Sequence, residues 1–378
     1  MIDLLYVPNE QIDVKKIEDL SISKLLSEVN YSETGGLHAV REKVRRYIGR
    51  LVGASIKPET VFLTNGADQA LCVALGAIKQ IKGGSVYIQT PYYYKYPNQI
   101  RMVHGGKIKT QAATHPLLDS EHMLTAAKDA NTSAVIFNNP NNPLGYIQPK
   151  QVLEHLLMST LSSQAHLIYD TVYVDTLFDP SDEAHFKLPE DNGLIDRLWI
   201  VGSLSKSHGV AGWRLGFLVC PDKEKKRVAP ILSALTSNLS TVSQRLVNIV
   251  LSSDFFEQRR QKLCTEMAAN AQVIFEYAEK NHPLLFPNMI KPKAGIFFGL
   301  NNPAIKNKED ENHIQNELKK EGIQVLSGSI FGYPSVFRIP IATPLKDCTT
   351  FFQQVEKFFD VNRPDNTTRI GTRENLSP

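Results

Sequence analysis

Short apolar runs bounded by Gly, Pro and Asn recur along the chain up to about residue 220. The stretches 61–64, 85–89, 133–138, 166–170, 198–202 and 214–219 have the length and composition of buried strands. Between them the period changes. Residues 67–81 place Leu71, Leu75 and Ile78 on one helical face, and residues 150–162 do the same with Val152, Leu156 and Leu157. Strands alternating with helices predict an α/β fold, a three-layer α/β/α domain with a mainly parallel sheet. After about Val242 the rhythm differs: a long helical stretch through Ala278, a strand at 296–300, a helix at 311–320, short strands and a final helix near 348–359. That order predicts a smaller α+β domain. The chain is expected to divide into an N-terminal segment at 1–30, a large domain at 31–255, a small domain at 256–360 and a mobile tail at 361–378.

Composition fits this division and narrows the function. A chain of 378 residues exceeds the roughly 250–300 residues at which single cores tend to split. With 42% hydrophobic and 21% charged residues it has the make-up of a soluble globular protein. A net charge of +3 gives no basic surplus for a phosphate backbone, which argues against nucleic acid as a partner. Cys72, Cys220, Cys264 and Cys348 lie far apart without metal-ligand spacing, so reduced packing cysteines and no metal site are expected. No basic start leads into an apolar run, and no stretch of about 18 apolar residues occurs, so the expectation is a cytoplasmic protein without a membrane partner.

Four strand ends carry chemistry, because in open α/β sheets the carboxyl ends of strands and the first amides of the following helices face the ligand. The first is Thr64-Asn65-Gly66-Ala67-Asp68-Gln69, a turn into a helix that suits a phosphate or serves as an ordinary capped turn. The second is Ser203-Leu204-Ser205-Lys206-Ser207-His208, followed by Arg214. A lysine in this small-residue setting can be held partly desolvated near cationic neighbours, which lowers its pKa from about 10.4 and suits it to Schiff-base formation; a solvated lysine at a strand end is the alternative. The third strand ends in Asp170, as a ligand carboxylate or a helix cap, with Tyr173 just beyond. The fourth, Asn138-Asn139-Pro140-Asn141-Asn142-Pro143, is a rigid turn able to aim an Asn side chain.

In this order the four segments resemble the fold-type I enzymes that use pyridoxal 5′-phosphate (PLP), specifically the class I/II aminotransferase family, from about Tyr31 to Ala342. The resemblance implies a PLP-dependent transferase-like fold, with the 31–255 domain binding the cofactor and the 1–30 segment associated with the small domain. It implies that Lys206 carries PLP as a Schiff base and shuttles the proton, that Asp170 faces the pyridine nitrogen, and that Asn142 and Tyr173 lie near the ring 3-oxygen. The cofactor phosphate would be held by Gly66, Ala67, Asp68, Ser203, Ser205 and Arg214. Tyr93, in the run Pro91-Tyr92-Tyr93-Tyr94, takes the ring-stacking place. Tyr31 looks like the tyrosine that reaches a neighbouring subunit's phosphate site, which implies a homodimer. Arg338, in Val336-Phe337-Arg338-Ile339, resembles the arginine that grips a substrate α-carboxylate; a surface arginine is the alternative.

The implied reaction transfers an amino group between an amino acid and a 2-oxo acid. A lyase, an oxidase or a cyclase of the capreomycidine synthase kind would use the same cradle, and a non-catalytic regulator on this fold is the remaining alternative. Leu144 stands where the family usually has Thr or Ser. The segment expected to close over the substrate is reduced to Leu5-Tyr6-Val7-Pro8-Asn9-Glu10. His208 is read as a packing residue rather than an acid–base group, because Lys206 already has the geometry for proton transfer.

Overall fold

The computed structural model describes all residues except 1, 4–11, 14, 16, 18–20, 28, 112–118, 190–192, 284–289, 303, 304, 327 and 358–378. The short segment Leu5-Tyr6-Val7-Pro8-Asn9-Glu10 and the expected tail at 361–378 lie outside the described residues. The strands are β1 (Ile2–Asp3), β2 (Val61–Asn65), β3 (Ser85–Ile88), β4 (Ile108–Lys109), β5 (Thr132–Asn138), β6 (His166–Asp170), β7 (Leu198–Ser203), β8 (Leu215–Val219), β9 (Phe297–Asn301), β10 (Ile323–Gln324) and β11 (Val336–Pro340).

β2 to β8 form a seven-stranded sheet in the order β2-β8-β7-β6-β5-β3-β4. Apart from the short edge strand β4, its strands are buried on both faces, which is why they read as apolar runs rather than as alternating ones. On one face Val135, Phe137, Leu167 and Tyr169 pack with Ile48 and Leu51 of the helix His38–Val52 and with Leu153, Leu156 and Leu157 of the helix Lys150–Ser163. On the other, Ala134, Ile136, Ile168 and Trp199 pack with Leu71, Leu75 and Ile78 of the helix Gly66–Ile81 and with Val228 and Leu232 of the helix Lys225–Thr236. Each fully buried Leu or Ile contributes about 1.5–3 kcal/mol, so these two apolar layers hold the sheet between its helices.

The expectation of a mainly parallel sheet holds, with a local departure at one side. β8 runs antiparallel to both β2 and β7. Its start also differs from the predicted 214–219, because Arg214 adopts a left-handed backbone (φ 57°) and precedes the strand. The long helical stretch expected from Val242 to Ala278 is two helices, Thr241–Val250 and Asp254–Asn281. Ser252 turns its hydroxyl back to the Asn248 carbonyl, and Ser253 takes an extended N-cap conformation ahead of Asp254. Local polar side chains here compete with helix continuation.

A further apolar cluster lies around the antiparallel pair β9–β11. It joins Phe298, Leu300, Phe337 and Ile339 to Ala271, Ile274 and Ala278 of the helix Asp254–Asn281, to Ile314 and Leu318 of the helix Lys308–Lys320, and to Phe351, Phe352 and Val355 of the helix Leu345–Glu356. The helix Asp254–Asn281 also gives Phe256 to the first cluster, so it spans both cores. β1 pairs in parallel with β10. Among the described residues, no helix is long and apolar enough to cross a membrane.

Candidate active site

The sheet register brings the predicted strand ends together. Asn138 at the end of β5 lies opposite Asp170 at the end of β6, and Asp170 lies opposite Val201 in β7. Ser203 at the end of β7 pairs with Gly216 in β8, which pairs in turn with Thr64 in β2. Side chains separated by more than a hundred residues in sequence therefore line one cavity of about 440 Å³. Ala67, Asp68, Tyr93, Asn142, Asp170, Tyr173, Ser203, Ser205, Lys206, Arg214 and Arg338 all contribute to its wall.

Asp170 is buried at one end. Its Oδ2 accepts a hydrogen bond from the Tyr96 hydroxyl at 2.6 Å and its Oδ1 one from the Val172 amide at 3.1 Å. Burial raises its pKa to about 6, against the pull of those two donors. The Val172 contact is a local turn, and no helix starts at Asp170, so the helix-cap alternative for this residue does not hold. Asn142 is fixed by its own amide, which donates to Asn138 Oδ1 at 2.7 Å, while its Nδ2 donates to the Tyr173 hydroxyl at 3.3 Å. Burial holds the Tyr173 and Tyr93 phenols well above their ordinary pKa, so both keep their protons.

Lys206 follows β7 in the same cavity. Burial is the largest effect on it and lowers its pKa, and the charges of Arg338 and Arg214 add to the lowering. Ser203 Oγ donates to the Leu215 carbonyl at 2.8 Å, and Ser205 Oγ lies 2.8 Å from Ser203 Oγ, which anchors the loop that carries the lysine. His208 does not line the cavity. It is buried, its Nδ1 is 2.8 Å from Ser207 Oγ, and its ring packs beside Tyr47. Burial lowers its pKa to about 4, which matches the packing role.

At the other end, the helix Gly66–Ile81 starts without a side-chain cap from Asn65, so its first amides are available to an anion. Gly66 has φ +77°, and a Cβ there would come within 2.3 Å of Arg214 Nη2. A Cβ on Gly216 would meet the Gly66 backbone at 2.3 Å. The Arg214 guanidinium is aimed by its left-handed backbone and donates to the Ala211 carbonyl at 3.1 Å and to the Asn65 carbonyl at 3.4 Å. Arg338, in the middle of β11, is buried, with its guanidinium carbon 3.9 Å from the Phe297 ring centre and 5.2 Å from that of Phe331. The surface-arginine alternative is thus excluded by its 3% exposure. Tyr31 is 86% exposed and does not line the cavity of its own chain.

Several lining residues were given no site role by the sequence reading, among them three from elsewhere in the chain. Tyr96, Lys95 and Phe297 come from positions whose neighbours gave no strand-end signal. A recoverable hint for the first two was the density of polar aromatics and a cation in Tyr92-Tyr93-Tyr94-Lys95-Tyr96.

The fold and this site define an enzyme of the fold-type I class. The chain belongs to the family aminotransferase class I and II, whose pattern it matches over residues 12–355. That family depends on PLP, and the relatives this chain matches are aminotransferases. The chain is 27% identical to an aspartate aminotransferase of Thermotoga maritima over 88% of its own length and 84% of that protein's. It is 24% identical to an aspartate/prephenate aminotransferase of Thermus thermophilus, over 83% and 79% of the two chains. In structure it resembles an aromatic aminotransferase of Pyrococcus horikoshii, with a TM-score of 0.79, 21% identity and 94% of each chain covered.

The residues present fit the cofactor. Asn142 Oδ1 is buried in the cavity wall without a hydrogen-bond partner, a carboxylate closes one end, and the close approach at Gly66 leaves a cradle that a side chain would fill.

Proposed function

We propose that this aminotransferase holds PLP with its ring toward Asp170 and its phosphate toward Arg214, and that Lys206 is the covalent anchor. Asn142 and Tyr173 would meet the ring oxygen, Tyr93 would cover a ring face, and Ser203, Ser205 and the amides of Gly66, Ala67 and Asp68 would meet the phosphate. When bound, PLP supplies an aldehyde that takes up an amino group and a ring that accepts the electron pair released at the substrate Cα. Ionised Asp170 keeps a proton on the ring nitrogen. Buried Arg338, framed by Phe297 and Phe331, binds and orients the substrate α-carboxylate. Lys206 Nζ, with its basicity lowered, takes the proton from Cα and returns it on the other side of the exchange. Two half-reactions on one site give ping-pong kinetics.

Tyr31, being exposed, is available to a second copy, and a homodimer in which each Tyr31 reaches the partner's phosphate end completes the proposal. Amino acids and 2-oxo acids are the substrates, and the cytoplasm is the proposed location. The observation that carries this reading is the convergence of Lys206, Asp170, Asn142 and Arg214 on one cavity. Its test mixes PLP-loaded protein with single amino acids and measures 2-oxo acid and aminated cofactor. Equal amounts of both are expected, and Lys206→Ala should lower the rate at least about 10²-fold. Ammonia release without aminated cofactor would refute transamination.

A further inference from the structure

The phosphate end of the cavity contains a carboxylate. Asp68 stands in the first turn of the helix Gly66–Ile81 and lines the cavity beside Arg214. An acidic side chain at that place repels a phosphate dianion as strongly as a cation there attracts it. Its neighbours deal with the charge. Lys95 Nζ donates to Asp68 Oδ2 at 2.9 Å, Gln99 Nε2 donates to Oδ1 at 3.3 Å, and the Tyr93 hydroxyl donates to Oδ1 at 3.4 Å. Arg214 Nη2 is farther from the same Oδ2, at 3.9 Å, and its nearer bonds go to backbone carbonyls. Lys95, not Arg214, is therefore the close counter-ion of Asp68.

We propose that Lys95 is a positioning residue of the phosphate site, which cancels the charge of Asp68 and so leaves Arg214 and the helix amides free to bind the cofactor phosphate. The inference rests on the placement of the phosphate given above. It assigns Lys95 no contact with the phosphate. Removing Lys95 exposes the phosphate to an uncompensated carboxylate, and removing both charges restores the balance.

The test compares PLP with pyridoxal, the same ring without phosphate, by equilibrium dialysis with each protein kept folded as judged by circular dichroism. K95M is expected to weaken PLP about tenfold, some 1.4 kcal/mol, and to change pyridoxal affinity by less than about threefold. The double variant K95M/D68N is expected to return PLP affinity to within about threefold of the wild type. Equal losses for both ligands, or a double variant as weak as K95M, would overturn the proposal. If K95M does not fold, D68N alone decides: PLP affinity equal to or tighter than wild type supports it, and a loss confined to PLP overturns it. Failure of the wild-type protein to bind either ligand would instead count against the proposed function itself.

Discussion

At one end of the cavity Asp170 is buried, held by the Tyr96 hydroxyl and the Val172 amide, and shifted to about pH 6 by its loss of water. At the other end Asp68, Lys95 and Arg214 keep side-chain exposures of 32%, 42% and 43%, with Lys95 paired closely to Asp68 and one positive charge left over on Arg214. The end proposed for the ring would work by low dielectric and fixed hydrogen bonds, where each group counts heavily. The end proposed for the phosphate would work by summed charge near water, where the total matters. A ligand with a flat ring and a dianionic tail meets one environment at each end.

The contrast can be broken most sharply at Asp170. Asp170→Asn should lower transamination on the order of 10²-fold or more, since a preorganised buried charge is lost. PLP affinity should also change its pH profile. In the wild type the carboxylate ionises near pH 6, so affinity should rise as pH increases through about 6 and then level off. The asparagine variant should lack that rise, and titration by absorbance checks both.

A smaller effect is expected at Tyr96. Its hydroxyl lowers the Asp170 pKa, so Tyr96→Phe removes a bond to a charged group, worth about 1.5–3 kcal/mol. The midpoint of the pH profile should move upward by about one to two units. An unchanged midpoint would mean that water replaces the hydroxyl and that this end is wetter than its burial implies.

The smallest effect sharpens the comparison at the phosphate end. Raising ionic strength from about 0.01 to 1 M shortens the screening length from about 30 to 3 Å. The advantage of PLP over pyridoxal should shrink a few-fold over that range, while the pH midpoint set by Asp170 stays in place. Dissociation constants for both ligands at each salt concentration test this.

Much of the ring end was legible in the sequence because each group closes an apolar strand or follows one directly: Asp170 after Leu167-Ile168-Tyr169, Lys206 after Trp199-Ile200-Val201. Strand ends are places where period and chemistry change together. Tyr96 and Lys95 were not legible in this way. They reach Asp170 and Asp68 from a connection after β3, across sequence separations of 74 and 27 residues, and no local period records such contacts. The reversed direction of β8 was hidden for a similar reason, since a strand buried on both faces has the same apolar composition whichever way it runs. The break at Ser252-Ser253 was present in the sequence as cap-forming residues, but the apolar period on both sides overrode it.

The contact of Gly66 with Gly216, in which neither position has room for a Cβ, ties the cradle to the pairing of β2 with β8. Those strands are about 150 residues apart in the chain, and closing so long a loop costs entropy that is recovered only when the intervening strands are in place. A chain in which β2 and β8 have not paired therefore lacks the cradle proposed for the phosphate. A cofactor that binds only the finished sheet would add its binding energy to the folded state alone, so loading with PLP should raise the melting temperature of this protein together with its activity.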